Sequence, residues 1–289
     1  MTNAVLTGLM LGGMYALIAM GLTLQYGVAR IMNLSYGEFL VAAAFASYWL
    51  YQGWAFNPLL GLVFVIPVSF AVSFLLYRIF LVPLVRRAKT RGALEVDSIL
   101  ATFGLMFVVQ GIMLALFGGD YYSYSFLAIP TPVFGEIFSL NKLIAFGLAV
   151  VIGLALYLAL TRTRIGTAIR AVAADPSAAQ LVAIDVIRAS ALAYALGGAL
   201  VATAGVLLST FLTFSATSGV VFTMKALIVV VMGGVGNLMG CLIAGLLLGL
   251  SESLVATYID PGLTVAVNFA LFLGVLLVKP AGLFGRAQR

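Results

Sequence analysis

Long apolar runs alternate with short polar breaks along this chain, and the length of each run limits what it can be. Residues 1–29, 39–77, 98–119, 143–161, 189–224, 226–251 and 261–278 contain no Asp, Glu, Lys or Arg. A helix needs about 20 apolar residues to cross a bilayer, so these runs read as membrane spans. Three are too long for one helix. Asn57-Pro58 divides residues 39–77, because Asn starts turns and Pro cannot continue a helix that precedes it. The polar patch over residues 213–219 predicts a helix end near Phe211. Gly233-Gly234-Val235-Gly236-Asn237 interrupts the run over 226–251 and favours a hinge or a broken helix. The pattern predicts an all-α, polytopic membrane protein, a single transmembrane domain over residues 1–289 with eight or nine segments, some broken or re-entrant.

Composition removes the competing classes. Of the 289 residues, 64% are hydrophobic and 8% charged, against roughly 25% charged in a soluble domain. A soluble fold cannot hide that much apolar surface, which excludes a soluble enzyme, a nucleic-acid binder and a disordered tail. There is no His, the commonest general base and metal ligand. The one cysteine, Cys241, cannot form an internal disulfide or a Cys-pair metal site. No catalytic, metal or cofactor residue is assigned. The first run lacks a basic leader and a small-residue cleavage site, and is expected to remain as a helix.

The net charge of +6 is clustered, and clustered Lys and Arg report topology. Arg78, Arg86, Arg87, Lys89 and Arg91 form one group; Arg162, Arg164, Arg170 and Arg188 a second; Lys279, Arg286 and Arg289 a third. These stretches are expected to be cytoplasmic, the C-terminus included. The Tyr-rich loop over 118–141 falls outside, and the N-terminus joins it if both early runs span fully. Trp49 and Trp54 with Tyr48 and Tyr51 read as an outer aromatic girdle.

One stretch looks soluble, residues 161–188. Asp175-Pro176 is a helix-start signal, Asp as N-cap and Pro at the first helical position. Two short helices are expected, over 167–174 and 176–183. Ala178 and Ala179 would let another surface come close. A solvated connector is the plainer reading, but such connectors are seldom Ala-rich and helical.

Polar groups inside a membrane are costly and usually functional. Arg30 and Glu38 flank the break Asn33-Leu34-Ser35-Tyr36-Gly37; Gln110 lies mid-run; Lys225 and Glu252 interrupt later runs. Arg30 and Lys225 could snorkel to an interface, and Glu252 could sit wet near the outer end of its span. Short polar-Gly breaks occur in transporters only where they line a cavity. A helix starting near Ser35 would aim its N-terminal N–H groups at a passing carboxylate. The pair Ser35-Tyr36-Gly37-Glu38-Phe39 and Thr217-Ser218-Gly219-Val220-Val221-Phe222 forms a short internal echo between the two halves. Gly8-x-x-x-Gly12, Gly236-x-x-x-Gly240 and Gly245-x-x-x-Gly249 read as helix-packing pairs.

Three stretches carry a family resemblance: Gly21-Leu22-Thr23-Leu24-Gln25-Tyr26-Gly27-Val28 through Ile31-Met32-Asn33-Leu34-Ser35-Tyr36-Gly37-Glu38; Arg162-Thr163-Arg164-Ile165-Gly166-Thr167-Ala168-Ile169-Arg170 with Asp175, Ala178 and Ala179; and Lys225-Ala226 through Gly233-Gly234-Val235-Gly236-Asn237, then Gly240 and Gly245. Together they resemble the LivH-type permease subunits of branched-chain amino acid ABC importers, of LivH/RbsC-like fold. The resemblance implies a bacterial inner-membrane chain forming half of a translocation pore. Its solute would be a branched-chain amino acid or a related small polar solute such as urea, a short amide or an aromatic acid. Implied partners are a second, LivM-like permease, two LivG/LivF-like ATPases, a periplasmic binding protein and the lipid bilayer, with no nucleic acid. ATP and Mg would bind the ATPases and no cofactor this chain. In line with that, the chain has no G-x-x-x-x-G-K-[ST] phosphate loop.

The resemblance assigns coupling to Arg162, Arg164, Gly166, Arg170, Asp175, Pro176, Ala178 and Ala179. Asn33, Ser35, Gly37, Glu38, Gln110, Ser218, Gly219, Lys225, Gly233, Gly234 and Gly236 are the expected path residues. A stand-alone secondary transporter or channel is the alternative, poorly supplied with buried acids. An intramembrane enzyme would need a nucleophile–base pair, and without His only Ser–Lys remains.

Overall fold

A computed structural model describes residues 2–88, 90–133 and 136–285; Lys89, Arg286 and Arg289 of the basic groups lie outside the described residues. Helix α1 (Thr2–Ala29) fills the first run without a break. Its 28 residues reach about 42 Å, more than the roughly 30 Å hydrocarbon layer. Then come α2 (Tyr36–Trp54) and α3 (Pro58–Leu76), separated where Asn57 accepts from Leu59 N–H and Pro58 opens the new helix. A π turn at Tyr77–Leu81 leads into α4 (Val82–Arg87). Pro83 has no N–H to offer the preceding turn, which accounts for the widened helix just before it.

Helix α5 (Arg91–Phe117) runs back across, capped by Thr90. Strands β1 (Pro130–Val133) and β2 (Glu136–Ser139) pair antiparallel in the loop that follows, a hairpin that the all-α reading omitted. Next are α6 (Leu140–Arg162), α7 (Arg164–Ala174), α8 (Pro176–Leu181) and α9 (Val186–Ser209). The chain closes with α10 (Gly219–Gly233), α11 (Leu238–Tyr258) and α12 (Thr264–Val278). Among the described residues seven helices are long and apolar enough to cross a membrane: α1, α3 continued through α4, α5, α6, α9, α11 and α12 with its leading turn. Helix α2 and the 15-residue α10 bring the segments to nine, with the expected breaks at 57–58, 210–218 and 234–237.

Helices α1 and α9 form the centre. Both are buried along most of their length, whereas α3, α5 and α12 present bare apolar faces to the surroundings. Two of the three small-residue pairs, Gly8 with Gly12 and Gly245 with Gly249, do what close packing requires; Gly236 instead lies in the α10–α11 turn, outside any helix and with open space where a Cβ would sit. A Cβ at Gly12 would sit 2.7 Å from Leu246 Cα, one at Gly8 2.8 Å from Leu250 Cα, and one at Gly245 2.7 Å from Ala16 Cα. So α1 and α11 touch backbone to backbone, the close approach that glycine permits.

The bundle has two distinct ends. Thr2 Oγ1 donates to Glu136 Oε1 at 2.8 Å, placing the start of α1 beside the hairpin. The other end of α1 meets α7, where an Arg30 Nη2 donates to the Ala173 carbonyl at 3.4 Å. Arginines gather at this second end: Arg78, Arg86 and Arg87 line one groove with Ile187, and Arg30 and Arg170 line a cavity with Pro280, Ala281, Phe284 and Gly285. Trp49 and Trp54 are exposed as the girdle reading expects. Tyr48 and Tyr51 correct it: three apart on α2, they share the other face and stack inward on Tyr122, Tyr124 and Phe126.

Candidate functional site

The sequence of α2 and α10 dictates an unusual start for each. Neither has a side-chain N-cap: Ser35 Oγ donates instead to Asn33 Oδ1 at 2.7 Å, and Ser218 is engaged with Ser215. Both helices begin inside the bundle, not at its ends, and their first turns meet. Gly37 N–H donates to Thr223 Oγ1 at 2.8 Å. A Cβ at Gly37 would strike the Gly219 carbonyl, and one at Gly219 would lie 2.6 Å from Glu38 Oε2. From this seam α2 runs to the hairpin end and α10 to the α7 end. The echo between residues 35–39 and 217–222 therefore falls on two short helices of opposite direction whose first turns are in contact.

The break that leads into α2 is densely hydrogen-bonded. Asn33 Nδ2 donates to Gln25 Oε1 at 3.0 Å and Tyr194 OH at 2.9 Å, while Asn33 Oδ1 accepts from Ser35 N–H at 3.1 Å. Tyr36 OH donates between the carbonyls of Ile18 and Gly197 at 2.9 and 3.1 Å. Thr102 on α5 accepts from Leu34 N–H at 3.1 Å and donates to Met32 carbonyl at 3.0 Å. The α2 donors at Ser35 and Gly37 are thus taken by the protein itself; they do not await a carboxylate in this state. Glu38 is different. It is wholly buried, and among the described residues neither carboxylate oxygen has a hydrogen-bond partner. Its carboxyl group sits in the first turn of α2 and against the first residue of α10, two positive helix ends.

Lys225 and Glu252 answer each other. Lys225 Nζ donates to Glu252 at 2.7 and 2.9 Å and to Tyr15 OH at 2.8 Å; Asn268 Nδ2 adds a 3.3 Å bond to Glu252 Oε2. Both charged side chains are 15% exposed. One ion pair thus joins α1, α10, α11 and α12 within the membrane part. Neither residue snorkels nor stands alone in water. The two lie 27 positions apart on different helices, so no local spacing could reveal the pair.

The remaining expected path residues lie elsewhere. Gln110 is half-buried mid-way along α5 and makes no hydrogen bond among the described residues. Gly233, Gly234 and Gly236 form the α10–α11 turn at the α7 end, with Gly234 and Gly236 at φ +96° and +82°. There Leu283 and Phe284 N–H groups donate to the carbonyls of Met232 and Gly233. The turn is held by the C-terminal segment.

At that same end Thr163 caps α7 by accepting from Gly166 N–H at 3.0 Å. Gly166 lets α7 fold back tightly on α6, since a Cβ there would meet the Leu160 carbonyl and backbone. Asp175 caps α8 by accepting from Ser177 and Ala178 N–H at 2.8 and 3.2 Å, and Pro176 occupies the first helical position. Arg162, Arg164 and Arg170 are exposed; Ala178 faces out and Ala179 faces in. Helix α8 ends at Leu181, sooner than the expected 183. The tip beyond it shows Leu181 at 88% and Val182 at 68% exposure, apolar residues that sequence reading did not single out.

Comparison with known proteins agrees with this architecture. Residues 4–277 match the family described as the permease component of branched-chain amino acid transport systems. The chain is 31% identical over 305 residues to the high-affinity branched-chain amino acid transport system permease protein LivH of Escherichia coli (strain K12), covering 97% of this chain and 94% of that protein. It is 29% identical to the corresponding permease BraD of Pseudomonas aeruginosa, with the same coverage, and 26% identical to a probable LivH of Methanocaldococcus jannaschii over 93% of this chain and 88% of that one. No solved structure gives a significant match. The nine apolar segments, the paired half-helices and this full-length similarity place the chain in the family of branched-chain amino acid transport permease components, as a multi-pass membrane protein.

Proposed function

We propose that this chain is half of the translocation pore of an ATP-driven importer for a branched-chain amino acid or a related small polar solute. The observation that carries the proposal is the seam between two oppositely directed half-helices with an unpartnered carboxylate beside it. Groups of this kind are tolerated within a membrane where a path opens. The α7 end is then the cytoplasmic face of the bacterial inner membrane, by the gathering of Arg at that end; the C-terminus lies there too, and the hairpin faces out. A second, LivM-like permease completes the pore. Two LivG/LivF-like ATPases bind ATP and Mg at the inner face, and a periplasmic binding protein delivers solute. Solute passes when α2 and α10 part.

Residues 161–188 form the coupling element, and α7–α8 are rigid enough to transmit force because both helices are capped, α7 folds onto α6 and α8 packs on α7 and α9. The contact is made by Ala178, Leu181 and Val182, flanked by Arg162, Arg164 and Arg170. Leu181→Asp is expected to lower transport-linked ATPase about tenfold, the cost of losing roughly 1.4 kcal/mol of apolar docking, with normal membrane yield. Unchanged ATPase in that variant argues against coupling through α8. The reading as a whole is tested by gentle purification of the tagged chain. Phosphate-loop ATPases and a second permease should come with it, and uptake by the reconstituted complex should require ATP. A lone chain that moves solute in liposomes without ATP overturns it and favours a channel or secondary transporter.

A further inference from the structure

Where α1 meets α7, a cavity of about 770 Å³ opens at the α7 end of the bundle. Its walls are mostly apolar, with Leu24 and Val28 of α1, Leu160 of α6, Ile169 of α7, Leu238 and Phe284 among them. Two guanidinium groups belong to the same cavity, Arg30 and Arg170. Each has one long bond, from Arg30 to the Ala173 carbonyl and from Arg170 to the Thr161 carbonyl, both 3.4 Å. A guanidinium carries five N–H donors, so most of their capacity is free. Among the described residues neither has a carboxylate within ion-pair distance; the ion pairs there are Arg188–Asp185 and Lys225–Glu252.

Arg30 is also held in a left-handed backbone conformation, φ +56°, immediately after α1. A long side chain rarely pays that cost. Its position sends the guanidinium towards α7.

An apolar cavity that carries two cations with spare donors suits an amphiphile with an anionic head. A free anion would gain the two arginines but would leave the apolar walls wet. We propose that the cavity binds an anionic phospholipid, its phosphate held by Arg30 and Arg170 and an acyl chain along Leu24, Val28 and Leu160. Basic pockets between helices on the inner side of a membrane are suited to such headgroups. The placement rests on the reading that the α7 end faces the cytoplasm. The bound lipid would join α1, which packs against α10 and accepts a bond from Tyr36 of α2, to α7, which leads into the coupling contact.

The test is thermal unfolding of the purified importer complex in detergent with phosphatidylglycerol, phosphatidylcholine or inorganic phosphate added. Phosphatidylglycerol is expected to raise the midpoint by about 3 °C more than the other two additions. Arg30→Asn with Arg170→Gln should erase that difference; Asn is chosen because it tolerates the left-handed region. Equal stabilisation by phosphatidylcholine overturns the proposal, as does a difference that survives in the double variant. Stabilisation by inorganic phosphate alone assigns the arginines to a soluble anion and overturns the lipid. Native mass spectrometry of the wild-type complex adds a readout independent of the variant's folding: retained phosphatidylglycerol supports the site, and a lipid-free complex refutes it. None of these readouts requires transport, so failure of the importer reading would show separately in the co-purification.

Discussion

Replacing Lys225 by Met is expected to remove most of the chain from the membrane fraction, and Glu252→Gln is expected to do the same. Either change leaves one charge without its partner where four helices meet. Breaking a buried pair from one side costs about 3–5 kcal/mol. That is a large part of the roughly 5–15 kcal/mol by which a folded domain exceeds its unfolded state. At 15% exposure for each side chain, solvent screens little of it. The double variant Lys225→Met with Glu252→Gln removes both charges and should recover much of the yield. The exchange Lys225→Glu with Glu252→Lys should do so too, because Tyr15 OH can serve either charge. Yield is read by quantitative immunoblot of membranes. Wild-type yield in both single variants would mean that the pair adds nothing to the fold; equal loss in the double variants would mean that packing matters there and charge does not.

The pair also shows where sequence reading stops. Spans were legible because about 20 apolar residues are required at each crossing, and Pro58, the 213–219 patch and Gly233 to Asn237 are local stop signals. The caps at Asn57 and Asp175 are local as well, and Asp175-Pro176 marks the start of α8; Thr163 was missed, since α7 begins at Arg164, three residues before the expected 167. The seam was legible only as a faint echo, since the contact of Gly37 with Gly219 joins residues 182 positions apart. Lys225 and Glu252 each had a plausible solitary explanation, snorkelling for one and water for the other. Only their meeting on adjacent helix faces removes both explanations. Leu181 and Val182 were missed for a different reason: in a chain this apolar, two more apolar residues carry no signal until the structure shows that they point away from everything. The girdle failed by periodicity, because Tyr48 and Tyr51 lie on one face of α2 while Trp49 lies on another.

Gly37→Ala is the sharpest expected result for the proposed path. A methyl group at Gly37 would strike the Gly219 carbonyl and lie 2.6 Å from Thr223 Oγ1. The struck atom is backbone rather than the end of a flexible side chain, and Gly219 already has the Glu38 carboxylate beside it. Even in a helix interior alanine is better than glycine by only about 1 kcal/mol, and Gly37 is the second residue of α2, while overpacking costs about 1–3 kcal/mol. At Gly37 overpacking wins and the seam cannot close as it does here. Gly53→Ala is the control. That residue lies on the same helix with nothing within 4 Å of a Cβ, so only the propensity gain remains and uptake should be unchanged. ATP-driven uptake by the reconstituted complex is expected to fall at least tenfold in Gly37→Ala, equivalent to about 1.4 kcal/mol, with membrane yield near that of the control. Uptake at the wild-type rate would show that α2 and α10 need not meet at Gly37 and Gly219 during transport. The path would then have to be sought elsewhere in the chain. A fall in yield that matches the fall in uptake would make the seam a packing contact alone. Loss of uptake at normal yield is the outcome that only a working seam produces.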